Sequence, residues 1–326
     1  MGAYIIRRLL YFVPVWFGVF LITFGIFHLR DPLTVAAVQL PQAPIDRLQA
    51  WVRNHNYHLP RFINLPEDAL IERADGRVHS EFAERGLFYS QFFLSLGDLL
   101  RFDLGVDRTR KPIAQSLRER IGPTLSIMAP ALILTAFFSL IIALFSAYLK
   151  GTSFDRAIVF AGIAMLSVAL PVYILAAQYL FGRVLPVVPI YGHVLLPILI
   201  AVFAAIGGQV RFYRSVFLEQ MGLDYVRTAR AKGVPEAAIL KDHILRNSWI
   251  PILTQVALSV PFLITGSVLL EQFFGVPGMG DFLYAALVSQ DFQVIKVLVY
   301  LGSFFYMLSA LATDLLYAAV DPRISF

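Results

Sequence analysis

Residues 124–149 read TLSIMAPALILTAFFSLIIALFSAYL, a run of 26 residues without a single charged side chain. An α-helix rises about 1.5 Å per residue, so roughly 20 apolar residues cross the ~30 Å hydrocarbon core of a membrane. The whole chain shares this character, because 58% of its 326 residues are hydrophobic and only 15% are charged. Soluble domains carry about 25% charged residues. The composition therefore predicts an all-α integral membrane protein and argues against a soluble enzyme.

Six stretches of the chain are long and apolar enough to form transmembrane helices. They are Leu9–Leu29, Thr124–Leu149, Ala157–Gly182, Val194–Val210, Trp249–Leu270 and Val297–Val320. The fourth is the shortest, and we expect its helix to continue past Arg211, whose long side chain can reach the membrane surface. Pro171 and other prolines fall inside these spans, where neighbouring helices can satisfy the freed carbonyls. The chain contains no cysteine, which excludes disulfides and thiolate metal sites.

Basic residues in the short connections predict the orientation of the spans. Twelve of them fall on one side and two on the other, so both termini are expected to be cytoplasmic and the first span to be a retained signal-anchor. The net charge of +5 is then a topology signal, and no nucleic-acid partner is expected. The twelve residues are Arg7, Arg8, Lys150, Arg156, Arg211, Arg214, Arg227, Arg230, Lys232, Lys241, Arg246 and Arg323.

The long polar stretch 30–123 is placed outside the cytoplasm by this orientation. It separates the first span (1–29) from the predicted core domain 124–320 and the cytoplasmic end 321–326. Its aromatic residues are too many for a disordered segment and predict a small folded cap. They include Trp51, Tyr57, Phe62, Phe82, Phe88, Tyr89, Phe92 and Phe93. His55 and His58 lie three residues apart, but no third ligand clusters with them, so we predict no metal site.

The second connection on the cytoplasmic side, residues 211–248, has its own local structure in the sequence. Asp224 stands near the start of a predicted short helix and Gly233 at its stop, and Pro235 then opens a new helix. Tyr225, Ala229 and Gly233 are spaced to give one face with mostly small residues, which a partner could enter. From these features alone, an interfacial helix on anionic lipid and a helix that docks on a protein are equally good interpretations.

The same connection carries a family motif. Residues 225–233 read YVRTARAKG and are followed by HILRN at 243–247 and by Pro251. This run resembles the coupling-loop signature of permease subunits of ATP-binding-cassette (ABC) importers, and it is most similar to the dipeptide/oligopeptide branch with its microcin/oligopeptide-type and nickel permeases. Counted back from Gly233, the signature opens at 227–229 with Arg-Thr-Ala. The literal Glu-Ala-Ala at 236–238 is out of register, because the glycine expected six residues later is Asp242.

Further segments are similar to the same family, in the same order along the chain. They are the opening Met1–Leu10, the approach to the second span at Gly97–Gly105 and Lys111–Leu125, the turn Gly151–Asp155, the stretch EQFFGVPGMG at 271–280 with Asp291, and the ending Asp321–Arg323. The resemblance covers nearly the whole chain except about 64–85, which we interpret as an insertion.

The resemblance implies the type I ABC importer permease fold, with six transmembrane helices in the bacterial inner membrane. It implies import of peptides by alternating access, together with a second homologous permease, two ABC ATPases or one fused ATPase, and an extracytoplasmic substrate-binding protein. ATP and Mg would be bound by the ATPase partners, and this chain would hold no cofactor. We call residues 211–248 the coupling segment; its short helix would dock on the ATPase through Tyr225, Thr228, Ala229, Ala231, Lys232 and Gly233.

Enzymatic motifs are absent from the sequence: there is no G-x-x-x-x-G-K-[ST] string and no hydrolase or metalloprotease motif, so the chain is not expected to be an enzyme.

Polar side chains at membrane depth are candidates for the translocation path or for interhelical hydrogen bonds. They are Gln178, Gln209, Gln255 and Asp314, with His28 and Glu271 at span ends. Gly266, Gly302 and the pair Gly207 and Gly208 are expected to mark close helix packing.

Other functional readings of the sequence stay open. A permease of the same family could carry nickel or another small solute, because substrate choice belongs largely to the binding protein. A secondary transporter driven by an ion gradient would have a similar composition but would need no docking loop. An intramembrane enzyme would need paired catalytic groups at one depth, for which the spans offer only Asp314.

Overall fold

The computed structural model describes residues 2–63, 86–185 and 191–320, so the predicted insertion 64–85 and the ending 321–326 lie outside the described residues. The described chain is helical, apart from one isolated antiparallel bridge between Val106 and Pro112. The helices are α1 Gly2–His28, α2 Pro32–Gln39, α3 Ile45–Asn54, α4 Gln91–Leu100, α5 Ile113–Tyr148, α6 Ser153–Leu166, α7 Leu170–Tyr179, α8 Leu195–Met221, α9 Asp224–Ala231, α10 Glu236–Ala238, α11 Arg246–Thr265, α12 Val268–Phe274, α13 Met279–Val288 and α14 Phe292–Val320.

Within the described residues, five helical stretches are long and apolar enough to cross a membrane, and a bent pair of helices makes a sixth. This confirms a multi-pass helical membrane protein. The five are Leu10–His28, Ile113–Tyr148, Leu195–Met221, Glu236–Thr265 and Phe292–Asp314. The fourth predicted span does continue past Arg211, to Met221. The fifth ends at Thr265 and not at Leu270, because Gly266 adopts a left-handed φ of +72° that stops the helix.

The third predicted span, Ala157–Gly182, is not one straight helix. It consists of α6 and of α7 with a following π-helical turn Leu180–Val184, and the two parts are bent by 95°. Pro171 lies in the first turn of α7, where its missing N–H has no helical acceptor to lose. The expectation that Pro171 sits inside a continuous helix was therefore wrong: it begins a new one.

The described residues divide into two compact units, with residues 2–9, 119–185, 191–284 and 304–320 in the first and 10–63, 86–118 and 285–303 in the second. One apolar core of the first unit gathers buried side chains of α5, α8, α9 and α11, among them Ala147, Phe217 and Ile252. In the second unit, Phe20 and Phe24 of α1 pack with Phe92 and Leu99 of α4. A smaller core there joins α2 and α3.

Two glycines allow α6 and α8 to approach each other closely. A Cβ atom added to Gly207 would lie 2.9 Å from the Gly162 carbonyl oxygen, closer than real Cβ contacts. The neighbouring Gly208 faces only the end of the Leu166 side chain, at 3.4 Å. The expectation of close helix packing is confirmed at Gly207, where backbone meets backbone.

We expect Gly207→Ala to destabilise the protein by about 1–3 kcal/mol, since the added methyl group must push two helix backbones apart. Gly208→Ala is the matched control, because Leu166 can move aside and alanine favours the helix by up to about 1 kcal/mol. Thermal unfolding of both purified variants in detergent measures the difference. Equal midpoints for the two variants would contradict the described contact.

Candidate functional site

The predicted helix of the coupling segment is present. It is α9, and its end is a Schellman motif: Gly233 has a φ of +73°, its N–H donates to the Arg230 carbonyl at 3.0 Å, and the Val234 N–H donates to the Ala229 carbonyl at 3.2 Å. Pro235 then precedes α10, which continues through a π-helical turn, Ile239–Leu245, into α11. The predicted order of helix, glycine and helix is confirmed.

The inner side of α9 packs into the protein. Val226 and Ala229 are buried in the core that also contains Phe217 and Ile244. The hydroxyl of half-buried Tyr225 donates to Gln220 Oε1 at 2.8 Å. The face with Tyr225 and Ala229 is thus turned towards the chain's own core, and the expectation that a partner could enter it was wrong. Small and apolar residues mark a face that can be covered, but the sequence does not say by what.

The outer side of α9 is exposed and holds the remaining predicted coupling residues: Thr228, Ala231, Lys232 and Gly233. A salt bridge of 2.7 Å between Arg230 and Glu236 links α9 to α10 across Gly233. This hydrogen-bonded partner raises the pKa of Arg230. Exposed pairs of this kind contribute at most about 1 kcal/mol. Glu236, the first residue of the out-of-register Glu-Ala-Ala, is therefore engaged within the coupling segment.

A buried polar cluster lies beside this core. Arg214 of α8 makes a bidentate salt bridge with Asp155 of α6, with both N–O distances at 2.8 Å. Asp155 also accepts from the Ser146 hydroxyl at 2.7 Å and from the Gly151 N–H at 2.9 Å. We call Ser146, Gly151, Asp155 and Arg214 the carboxylate clamp, because it joins the end of α5, the start of α6 and α8.

The carboxylate clamp was not predicted as a site. In the sequence, Gly151–Asp155 stands out only as a segment similar to the family, and Arg214 only as one of the basic residues that predict the orientation. A usable signal was the position of Asp155 next to an apolar span, where a carboxylate needs a partner. Ser146 and Arg214 flank the apolar residues Ala147 and Tyr213, which belong to the core that holds α9. The carboxylate clamp therefore stabilises the part of the core against which α9, the coupling helix, packs.

The candidate residue Glu271 is fully buried at the start of α12. Its Oε1 accepts from the Thr124 hydroxyl at 2.9 Å, and its Oε2 accepts from the Asp281 N–H at 3.0 Å. Thr124 Oγ1 accepts in turn from the Met279 N–H at 2.7 Å. Burial raises the pKa of the Glu271 carboxyl, and these hydrogen bonds act in the opposite direction. Both carboxyl oxygens hold the connection between α11 and α13 in place.

Three glycines form the walls around Glu271. Cβ atoms on Gly266 and Gly278 would collide with its carboxyl oxygens, and a Cβ on Gly280 would lie 2.6 Å from the Val268 nitrogen. We call Thr124, Glu271 and these three glycines the glutamate cradle. Gly266 was predicted to mark close packing between helices, and this is confirmed: an added Cβ would lie 3.0 Å from Thr124 Cγ2 of α5 and against the Glu271 carboxyl of α12, while Gly266 itself ends α11.

The other candidate polar residues have separate surroundings. The Gln178 side chain donates to the Phe273 carbonyl at 2.9 Å, which is an interhelical hydrogen bond. In the described part of the chain, Gln209 Oε1 is buried without a hydrogen-bond partner. Gln255 and Asp314 are half-buried, and His28 is stacked on Phe24 and Tyr57. Among residues 2–63, 86–185 and 191–320, no group of three His, Asp or Glu side chains is arranged to hold a metal ion.

Comparison with known families identifies the class of protein. The family model described as "Binding-protein-dependent transport system inner membrane component" matches residues 123–326, which is more than half of the chain. The matched region contains the coupling segment, the carboxylate clamp and the glutamate cradle. The chain belongs to this family of inner-membrane transport permeases.

Several relatives named as transport permeases agree with this assignment. A putative peptide transport system permease protein of Brucella abortus (strain 2308) is 34% identical over 248 residues, covering 71% of this chain and 78% of the relative. Two others align over the full length of both chains: the glutathione transport system permease protein GsiC of Shigella flexneri at 30% identity, and the oligopeptide transport system permease protein AppB of Bacillus subtilis (strain 168) at 29%.

Proposed function

We propose that this chain is the transmembrane permease subunit of an ATP-driven, binding-protein-dependent importer of peptides. The relatives named for peptide, oligopeptide and glutathione transport support peptides as the substrate class. In this proposal the chain has the six-helix type I permease fold and pairs with a second, homologous permease. ATP and Mg are bound by two ABC ATPase subunits or one fused ATPase, and an extracytoplasmic binding protein delivers the peptide.

The observation that carries the proposal is the two-sided coupling helix. Val226 and Ala229 tie α9 into the core of the first unit, so a force on α9 reaches α5, α8 and α11. Its outer side leaves Thr228, Ala231 and Lys232 open to a partner. A helix held on one side and exposed on the other can pass a rigid-body movement from an ATPase to the spans, as alternating access requires. The exposed residues are the docking surface; Tyr225 and Ala229 are the anchor, and Gly233 the hinge between α9 and α10.

The orientation follows from the coupling assignment. If α9 meets a cytoplasmic ATPase, both termini are cytoplasmic, and residues 30–123 lie on the outside, where the binding protein docks. The small core of α2 and α3, with Trp51 and Tyr57 packed near Val52, supports a folded cap in this region. The predicted insertion 64–85 belongs to the same outer region in this proposal.

Reconstitution distinguishes the proposal from its rivals. The permease, its partner permease and the ATPase subunits are placed in vesicles, with the binding protein and a peptide on the side opposite the ATPase. We expect peptide uptake that requires ATP and is unchanged when ion gradients are collapsed. Uptake driven by a proton or sodium gradient without ATP would support a secondary transporter instead. ATP-driven uptake of nickel without peptide would overturn the substrate class alone.

A further inference from the structure

Helix α4 lies in the outer polar region, yet its own sequence, QFFLSLGDLL, is apolar. With ten residues it is too short to span a membrane, and apolar segments of this length are typical of interfacial or re-entrant positions. Large apolar side chains are exposed at both of its ends: Phe88 is 70% exposed and Phe102 71% exposed, and Leu87 and Leu100 are exposed as well. A folded cap surrounded by water would be expected to bury such large apolar side chains.

The contacts of α4 place it at membrane depth. Its Phe92 ring lies 5.3 Å from the Phe20 ring and 5.4 Å from the Phe24 ring of α1, measured between centroids. No charged residue stands between Arg8 and Arg30, so this part of α1 spans the hydrocarbon core. At about 1.5 Å per residue, Phe24 and Phe20 lie about 9 and 15 Å below Arg30 along the helix. A helix packed on these two rings is below the membrane surface.

The end of α4 supports the same conclusion independently. Its last turn is a Schellman motif, with the Phe102 N–H donating to the Leu99 carbonyl and the Asp103 N–H to the Asp98 carbonyl. Phe102 occupies the left-handed position at φ +56°, where glycine is usual and a side chain is disfavoured. The strained backbone and the exposed ring of Phe102 are both unfavourable in water. Burial of the ring in surroundings outside the chain would compensate for them.

We propose that α4 and its flanking residues Leu87, Phe88, Leu100 and Phe102 are inserted in the leaflet at the His28 end of α1, with their exposed side chains against lipid acyl chains. This surface is of the same kind as the exposed apolar residues Ile22 and Ile26, which lie on the membrane-spanning part of α1. Arg101 at the end of α4 has a long stem that can carry its charge to the headgroups. The proposal does not depend on the transported substrate.

Spin labels can measure this insertion, because the chain has no cysteine of its own. Phe88→Cys and Phe102→Cys are labelled with a nitroxide in the full chain, in vesicles of phosphatidylethanolamine and phosphatidylglycerol. Relaxation by oxygen, which concentrates in lipid, is compared with relaxation by a water-soluble nickel chelate. Ile22→Cys is the lipid-facing control, and Thr109→Cys is the control in an exposed polar loop.

We expect the labels at 88 and 102 to resemble the label at 22, with an oxygen-to-nickel ratio several-fold above that at 109. The same result is expected in the assembled transporter. A ratio equal to that at 109 would place this surface in water, available to the binding protein, and would overturn the proposal. Labels that become shielded from both relaxers only after the partner permease is added would assign the surface to a protein interface, and this too would overturn it.

Discussion

Replacing Arg214 with methionine is expected to produce one of the two largest losses of stability and transport in this chain. The substitution leaves the carboxylate of Asp155, which is 4% exposed, without its bidentate partner. Removing one member of a buried ion pair costs about 3–5 kcal/mol, because the remaining charge stays desolvated. Since the carboxylate clamp supports the core that holds α9, ATP-driven uptake per permease molecule should fall along with the thermal unfolding midpoint.

Arg211→Met is the matched control for this prediction, since Arg211 is on the same helix and exposed. It should change stability by no more than about 0.5 kcal/mol. The double variant Asp155→Leu with Arg214→Met should be less destabilised than the sum of the two single variants, because an apolar pair leaves no buried charge. Strictly additive effects, or equal effects of Arg214→Met and Arg211→Met, would show that the pair is not coupled as described.

The second large loss is expected for Gly280→Ala in the glutamate cradle. The new methyl group would lie 2.6 Å from the Val268 nitrogen and 2.9 Å from its Cα. These are backbone atoms, which cannot turn aside as a side chain can, so α12 and α13 must separate. We expect a destabilisation of about 3 kcal/mol, at the upper end for overpacking, and loss of uptake. Thermal unfolding and peptide uptake of the reconstituted complex measure both effects.

Gly275→Ala provides the control for the cradle, since it lies in the same connection. Gly275 has a φ of +64°, so alanine there is strained by about 1–2 kcal/mol, but its Cβ would meet nothing closer than 3.6 Å. The smaller effect at Gly275 separates the backbone collision at Gly280 from the general cost of losing a glycine. If Gly275→Ala proved as damaging as Gly280→Ala, the cradle would not be the cause.

Local signals account for what the sequence predicted well. Long uncharged runs define the spans. The C-terminal end of α9 is set by residues that follow it directly in the sequence, Gly233 and Pro235 among them. The bend at Pro171 was missed because a proline is compatible both with a continuous membrane helix and with the first turn of a new one. Tertiary packing decides between them.

Features that depend on long-range contacts were beyond the sequence. Asp155 and Arg214 are 59 residues apart, and no local pattern pairs them. Glu271 stood out as a polar residue at a span end, but its cradle depends on Thr124, which is 147 residues away. The direction of Ala229 was misjudged for the same reason: small residues suit both a core and a docking groove, and only the packed structure shows that the core occupies this face.

Site-specific photocrosslinking from the outer side of α9 tests the coupling assignment most directly. A benzophenone amino acid is introduced in place of Thr228 or Ala231, and for comparison in place of Phe160, which is 75% exposed on the apolar helix α6. The complex is irradiated in native membranes, and the adducts are identified by mass spectrometry. We predict adducts with a protein that carries an ATPase phosphate-binding motif from positions 228 and 231, and none with it from 160. Adducts with lipid alone at 228 and 231 would contradict the account.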